Sequence, residues 1–261
     1  MARLIDISAP LQAGIASDPP DMLPAIESMD HHATAPRIAE YFGVSVDDLP
    51  EGQYAAVERC TISTHNGTHV DSPYHYFSRM NEAIVPGGEP SMRIDEVPLE
   101  WLYQPGVKLD FRHLPDGHLV TPAEIRAELL RIGHGLSPQE IVLANTRAGS
   151  RYGEADYIDS GCGFGREVTL WLVERGIRVV GTDAWSWDAP FSHTKRRVAE
   201  TGDAGLIWEG HRVGRDRAYC QIEKLHNLEA LPPSGFIVAA FPVKVHRASA
   251  GWTRAVAILP E

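Results

Sequence analysis

Short apolar runs, some alternating with polar residues and some continuous, divide this chain into brief extended segments separated by turn-forming residues. Runs at residues 4–8, 57–64, 107–111, 141–145, 178–182, 218–223, 235–245 and 255–259 have the length and apolar content of strands. Helical spacing is rarer. Thr121 offers an N-cap, Pro122 a first-position proline and Glu124 an acid in the first turn, so a helix is predicted from there to Ile132, with Gly133 as its stop. A second helix is predicted over 166–175, where residues 168, 170, 172 and 173 are apolar and Gly176 ends the run. Strands interspersed with helices predict a mixed α/β architecture. No long Gly, Ser or Pro linker and no internal repeat breaks the pattern, so residues 1–261 are expected to form one domain. Residues 14–51 stand apart. Rich in proline and acid, with one short amphipathic piece at 36–42, they predict an arm, a lid or a subunit contact.

Charge narrows the partners. With 35 acidic against 24 basic residues the formal charge is -11, which argues against a nucleic-acid backbone or an anionic membrane as the partner and favours solubility; a small-molecule substrate is expected on other grounds. The longest apolar run, at 236–245, is broken by Pro242 and too short to span a bilayer. Met1-Ala2-Arg3 leads at once into a strand-like run and does not read as a signal peptide, so a cytoplasmic location is expected. The three cysteines, Cys60, Cys162 and Cys220, are too few for a disulfide framework and are expected to be reduced. Cys162 lies in a glycine-rich stretch that reads either as an exposed nucleophile or as a loop entering a helix, and no base can be assigned to it.

Residues 65–75 read His-Asn-Gly-Thr-His-Val-Asp-Ser-Pro-Tyr-His, three imidazoles and a carboxylate in eleven positions. Imidazole and carboxylate are the usual protein ligands of zinc and manganese, and about three of them commonly hold a catalytic ion. In an extended segment His69 and Asp71 share a face, and the Asn66-Gly67 turn pair can fold His65 back toward them. Pro73 is expected to leave His75 in a loop near the cluster, where an imidazole with a pKa of roughly 6.5 suits proton transfer. His211 and Glu223 are candidates for completing a two-ion site. An ion pair with Lys224, Arg215 or Arg217 accounts for Glu223 equally well.

The run from His65 to His75 resembles the signature His-x-Gly-Thr-His-x-Asp-x-Pro-x-His of the cyclase family of metal-dependent hydrolases, which includes bacterial kynurenine formamidases and isatin hydrolases. Residues 5–8, 174–183 with Ser186 and Asp188, and 222–228 resemble the family's opening strand, central region and closing motif. The resemblance implies a swivelling β/β/α fold in a homodimer or homotetramer. It implies that His65, His69 and Asp71 bind zinc or manganese, that Asp71 bridges to a second ion held by His211 and Glu223, and that His75 is the catalytic acid/base. The chain is longer than the formamidases through residues 14–51 and 186–217, additions expected to rebuild the pocket. Trp185, Trp187 and Phe191 flank Ser186 and are read as lining an aromatic cleft or, for either tryptophan, as core. Ser186 is read as binding the substrate carbonyl or capping a turn. The implied reaction is hydrolysis of a C-N amide bond, as in an aryl formamide, by metal-activated water. A cyclic amide such as isatin, or a lactone, is the alternative substrate. A metal-dependent lyase or dehydratase, and a non-catalytic metal-binding protein, are the readings from other classes.

Overall fold

The computed structural model describes residues 2–260. Its thirteen strands are β1 (Arg3–Asp6), β2 (Ala25–Met29), β3 (Val57–Thr61), β4 (His69–Asp71), β5 (Arg79–Met80), β6 (Glu89–Pro90), β7 (Tyr103–Asp110), β8 (Ile141–Asn145), β9 (Val179–Thr182), β10 (Cys220–Glu223), β11 (Phe236–Ala239), β12 (Ala250–Trp252) and β13 (Val256–Leu259). The helices are α1 (His31–Phe42), α2 (Pro73–Tyr76), α3 (Pro122–Ile132), α4 (Arg166–Val173), α5 (Phe191–Thr201) and α6 (Val213–Asp216).

Nine strands form one sheet in the order β1-β13-β11-β7-β8-β9-β10-β4-β12. β7, β8, β9 and β10 run parallel at its centre, and antiparallel strands extend it on both sides. Every residue of β8, β9 and β10 is buried, as a parallel strand covered on both faces requires. Strand alternation divides the core into two layers. Ile141 and Leu143 join Ile5, Val179, Ile222 and Phe236 in one, whereas Val142 and Ala144 join Ile125, Phe164, Val168 and Val180 in the other. The second layer is covered by α3 and α4. α3 begins at the Thr121 N-cap that the sequence predicts, closed reciprocally by Glu124, and ends at Gly133, in the left-handed region at φ 66°.

Three expectations change. The 57–64 run becomes a strand only to Thr61, and it pairs with β2 in a separate two-stranded sheet with no buried residue in either strand. The 235–245 run stops being a strand at Ala239, and its continuation holds the other edge of the main sheet: Val243 N donates to Trp252 O on β12 (2.8 Å). His75 lies on α2, not in a loop, because Pro73 takes the first helical position, where a missing N–H costs nothing.

Residues 14–51 divide into two parts. The stretch around Ser17 and Asp18 is buried against the His-rich loop, whereas α1 with the β2–β3 sheet leaves Tyr41, Phe42 and Tyr54 exposed. No helix among the described residues is long and apolar enough to cross a membrane.

Candidate metal centre

β4 carries the centre. It lies between β10 and β12, and its register sets Glu223 directly opposite His69, so the two side chains emerge on one face as a cross-strand pair. Asp71, two residues along β4, shares that face. The sharp return that brings His65 alongside runs through Asn66, whose N–H donates to Ser63 O (3.1 Å), and Gly67, at φ 61°. The His65 and His69 rings lie 5.0 Å apart.

Gly67 O accepts from His69 Nδ1 (2.9 Å), which fixes the proton on that nitrogen and leaves the Nε2 lone pair facing Asp71 Oδ1 at 3.4 Å and Glu223 Oε2 at 3.7 Å. His69 Nε2 and both Asp71 carboxylate oxygens are buried and make no well-aligned hydrogen bond, although His65 Nδ1 stands 2.9 Å from Asp71 Oδ1. Three such atoms turned toward one another would be costly without a cation between them, so the donor set fits a metal ion. His69, Asp71 and Glu223 present ligand atoms within 4.8 Å of one another, and His65, Asp71 and His75 form a second such group. Asp71 belongs to both.

The surrounding charges agree. Burial, and then the negative charge of Asp71, raise the Glu223 pKa above its ordinary value. Burial also opposes charge on Asp71, but the neighbouring His75, His69 and His65 rings outweigh it and hold that carboxyl well below the usual range. His65 Nδ1 lies 2.9 Å from Asp71 Oδ1; burial works against its protonation, yet the attraction of Asp71 carries its pKa upward.

His211 and Glu223, twelve residues apart in sequence, meet at the same place. His211 Nε2 is 3.7 Å from Glu223 Oε1. His211 Nδ1 makes a short hydrogen bond with Asp188, which also accepts from the N–H groups of Gly210 (2.7 Å) and His211 (3.1 Å). A carboxylate behind an imidazole in this way turns its other nitrogen toward a metal. Glu223 is not paired with lysine or arginine: Lys224 pairs with Asp18 and Arg215 with Glu82, while Glu223 Oε1 accepts from Trp187 N (2.8 Å).

The expected cleft is only partly aromatic. Trp187 is wholly buried, stacks on Phe164 with ring centroids 4.1 Å apart and donates to Thr169 Oγ1 (2.9 Å), so its indole belongs to the core and only its backbone reaches the centre. Ser186 is buried beside it. Trp185 packs edge-on against Phe191 at 5.2 Å and donates to Asp18 Oδ1 (3.1 Å). Phe191 lines a cavity of about 310 Å³ with Asp188, Val198, Ile207 and Trp208. Cys162 is buried in the core, which pushes its thiol pKa far up and excludes the nucleophile reading.

Two residues at this centre escaped sequence reasoning. The resemblance covers Asp188 but gives it no role, and its hold on His211 shows only in the fold. Trp208 sits in a stretch without periodicity, and no local signal marks it.

The profile of a family described as "Putative cyclase" matches residues 5–189. The chain belongs to this cyclase family. Cyclase-like protein 1 of Arabidopsis thaliana is 26% identical over 193 residues, 70% of each chain. An isatin hydrolase solved with the product analogue thioisatinate superposes with a TM-score of 0.74 at 20% identity, covering 100% of this chain and 93% of its own. Isatin hydrolase A of Ralstonia solanacearum gives 0.75 at 21% identity, covering 99% and 92%. A protein described as a "potential metal-dependent hydrolase with cyclase activity" gives 0.65 at 20% identity over the whole of both chains. The mixed α/β architecture expected from the strand and helix pattern is therefore that of the cyclase-family fold.

Proposed function

We propose that this cyclase-family protein is a metal-dependent hydrolase that cleaves the C-N bond of a small amide, an aryl formamide or the related cyclic amide of an isatin-like lactam. The observation that carries the reading is the set of three buried ligand atoms on His69 and Asp71 that make no well-aligned hydrogen bond, opposite Glu223. The names of its structural neighbours, isatin hydrolases and a metal-dependent hydrolase, support the same class.

His65, His69, Asp71, His211 and Glu223 would hold one or two divalent ions, zinc or manganese. Such an ion supplies Lewis acidity, polarising a carbonyl and bringing the pKa of a water down toward roughly 7.

The chain's own residues supply proton handling and shelter. Burial, assisted by the neighbouring His65, His211 and His69 rings and opposed by Asp71, lowers the His75 pKa to about 3. Its ring is therefore neutral near pH 7, and a pKa this low makes it a weaker base than the unperturbed imidazole expected from the sequence. Asp71 Oδ2, 4.0 Å from His75 Nε2, favours the protonated ring and partly offsets the burial cost while the proton is held. A departing nitrogen within reach of Nε2 would receive that proton. Phe191, Ile207 and Trp208 line a cavity beside Asp188 that would take the apolar ring of a substrate, and the Trp208 ring lies 5.1 Å from that of His75.

Parallel assays of N-formylkynurenine and isatin test the reading, with a chelator and then zinc or manganese added back. Turnover of either compound is expected to vanish on chelation and return with the metal. Oxygen-18 from water should enter the acid produced; an unlabelled product would indicate a lyase. Loaded protein that hydrolyses no formamide, lactam or lactone would overturn the proposal.

A further inference from the structure

The loop that carries His65 is held from behind by a buried ion pair reaching across the whole chain. Asp18, from the inner part of residues 14–51, pairs with Lys224, the neighbour of Glu223, and their side chains are 1% and 2% exposed. Few features of a protein are as costly as two charges taken out of water, and such a pair persists only where its remaining hydrogen-bonding capacity is used. Here it is. Lys224 Nζ also donates to the carbonyl of His65 (2.8 Å). Asp18 accepts from Asn66 Nδ2 (3.0 Å), Trp185 Nε1 (3.1 Å) and Ser17 Oγ (3.0 Å). Asn66 Nδ2 donates in addition to Met22 O (2.8 Å). The backbone of Lys224 stands at φ 57°, a conformation unusual for a long side chain. In that conformation its carbonyl accepts from Thr68 Oγ1, while its N–H donates to Ala184 O (3.1 Å).

His65, Asn66 and Thr68 are thus tied to one two-residue node. We propose that Asp18 and Lys224 are positioning residues for the metal centre. Together they hold the 65–68 loop so that His65 reaches Asp71, and Asp18 neutralises an ammonium that would otherwise repel a cation bound next to Glu223. The inner part of the arm is then a fixed support of the centre, not a moving lid.

This inference rests on the metal reading given above, and its test separates the two. Replacing a buried ion pair by apolar residues of similar size is often neutral for stability, so the double variant D18L/K224M is expected to fold while losing every tie from the node to His65 and Asn66. Apo wild-type and double-variant chains are titrated with Co(II), and its visible d–d bands report both affinity and coordination geometry. Far-UV circular dichroism confirms folding. The expected result is a Kd raised at least tenfold in D18L/K224M, with shifted bands. D18N, which leaves the ammonium uncompensated, should weaken Co(II) at least as much, and K224M in that background should recover part of the loss. A folded double variant with wild-type affinity and bands overturns the positioning role and leaves the metal reading intact. A wild-type chain that takes up no Co(II) overturns both. If the double variant fails to fold, the same titration on W185F and D18N decides, since both act on the node and leave every residue of the 65–68 loop in place: wild-type affinity and bands in both would overturn the proposal, and a raised Kd in D18N would support it.

Discussion

Trp208 lies flat on His211, ring centroids 4.6 Å apart and planes within 7°. Asp188 holds His211 Nδ1 and Tyr76 meets the ring edge-on at 5.2 Å, so this imidazole is confined on three sides. Trp208 covers it at a price in backbone strain, with φ at 56°, a region that bulky residues avoid and that strained functional positions share. Trp208→Ala should therefore lower turnover by roughly tenfold through a loosened His211. Trp208→Gly should be more stable than Trp208→Ala by about 1 kcal/mol, the reverse of the usual order, because only glycine is at ease at this φ. Denaturant unfolding of the two variants checks it; an alanine variant that is the more stable would show that the strain is not real.

Replacing His75 distinguishes a proton carrier from a ligand. His75→Ala should retain the metal content of the wild type, read by elemental analysis, while turnover falls by roughly a hundredfold or more. Its place beside His65 and Asp71, within ligand distance, makes the other outcome meaningful. A variant purified without metal would move His75 into the ligand set.

Much of this centre was legible before any coordinates, for physical reasons that differ from residue to residue. His69 and Asp71 share a face because any extended segment has a period of two, and a turn at Asn66-Gly67 returns His65 because glycine tolerates φ 61°. The pairing of Glu223 with His69 depends on the register of β10 against β4, strands some 150 residues apart, and no local pattern encodes it. β12 has only Ala250, Gly251 and Trp252 and takes its extended form from its neighbours. Gly251 is required there, since a Cβ would stand 2.5 Å from Val243 O. α5 has a single buried residue, Thr194, and so leaves no apolar stripe to read. Trp187 shows the converse: a tryptophan next to matched site residues reads as cleft, yet the strand-to-helix packing at Phe164 claims its indole.

Metal should stabilise the fold through Glu223. Burial and the charge of Asp71 both oppose ionisation of Glu223, so its carboxylate is a burden without a cation and an asset with one. Glu223→Gln keeps the oxygen that accepts from Trp187 N and removes the charge. In the presence of chelator the variant should melt at or above the wild-type temperature. With metal at a hundredfold over Kd the wild type should gain about 2.7 kcal/mol and the variant much less. Equal metal-induced shifts in the two proteins would exclude Glu223 from the ligand set.

A last consequence concerns alkaline stability and a residue outside the metal centre. Asp183 is buried, and loss of hydration raises its pKa from 3.8 to about 8 even though Thr146 N and Oγ1 donate to it. A carboxyl whose folded-state pKa exceeds its unfolded value binds more protons folded than unfolded between the two. Its stabilising contribution is therefore complete below about pH 4 and is lost as pH rises through about 8. Asp183→Asn keeps a neutral group of the same shape and an oxygen for Thr146. Between pH 5 and pH 9 the melting temperature of the wild type should fall relative to that of the asparagine variant, most steeply before pH 8. Melting curves that run parallel across that range would mean that Asp183 is already ionised in the fold, stabilised by Thr146 more strongly than burial opposes it.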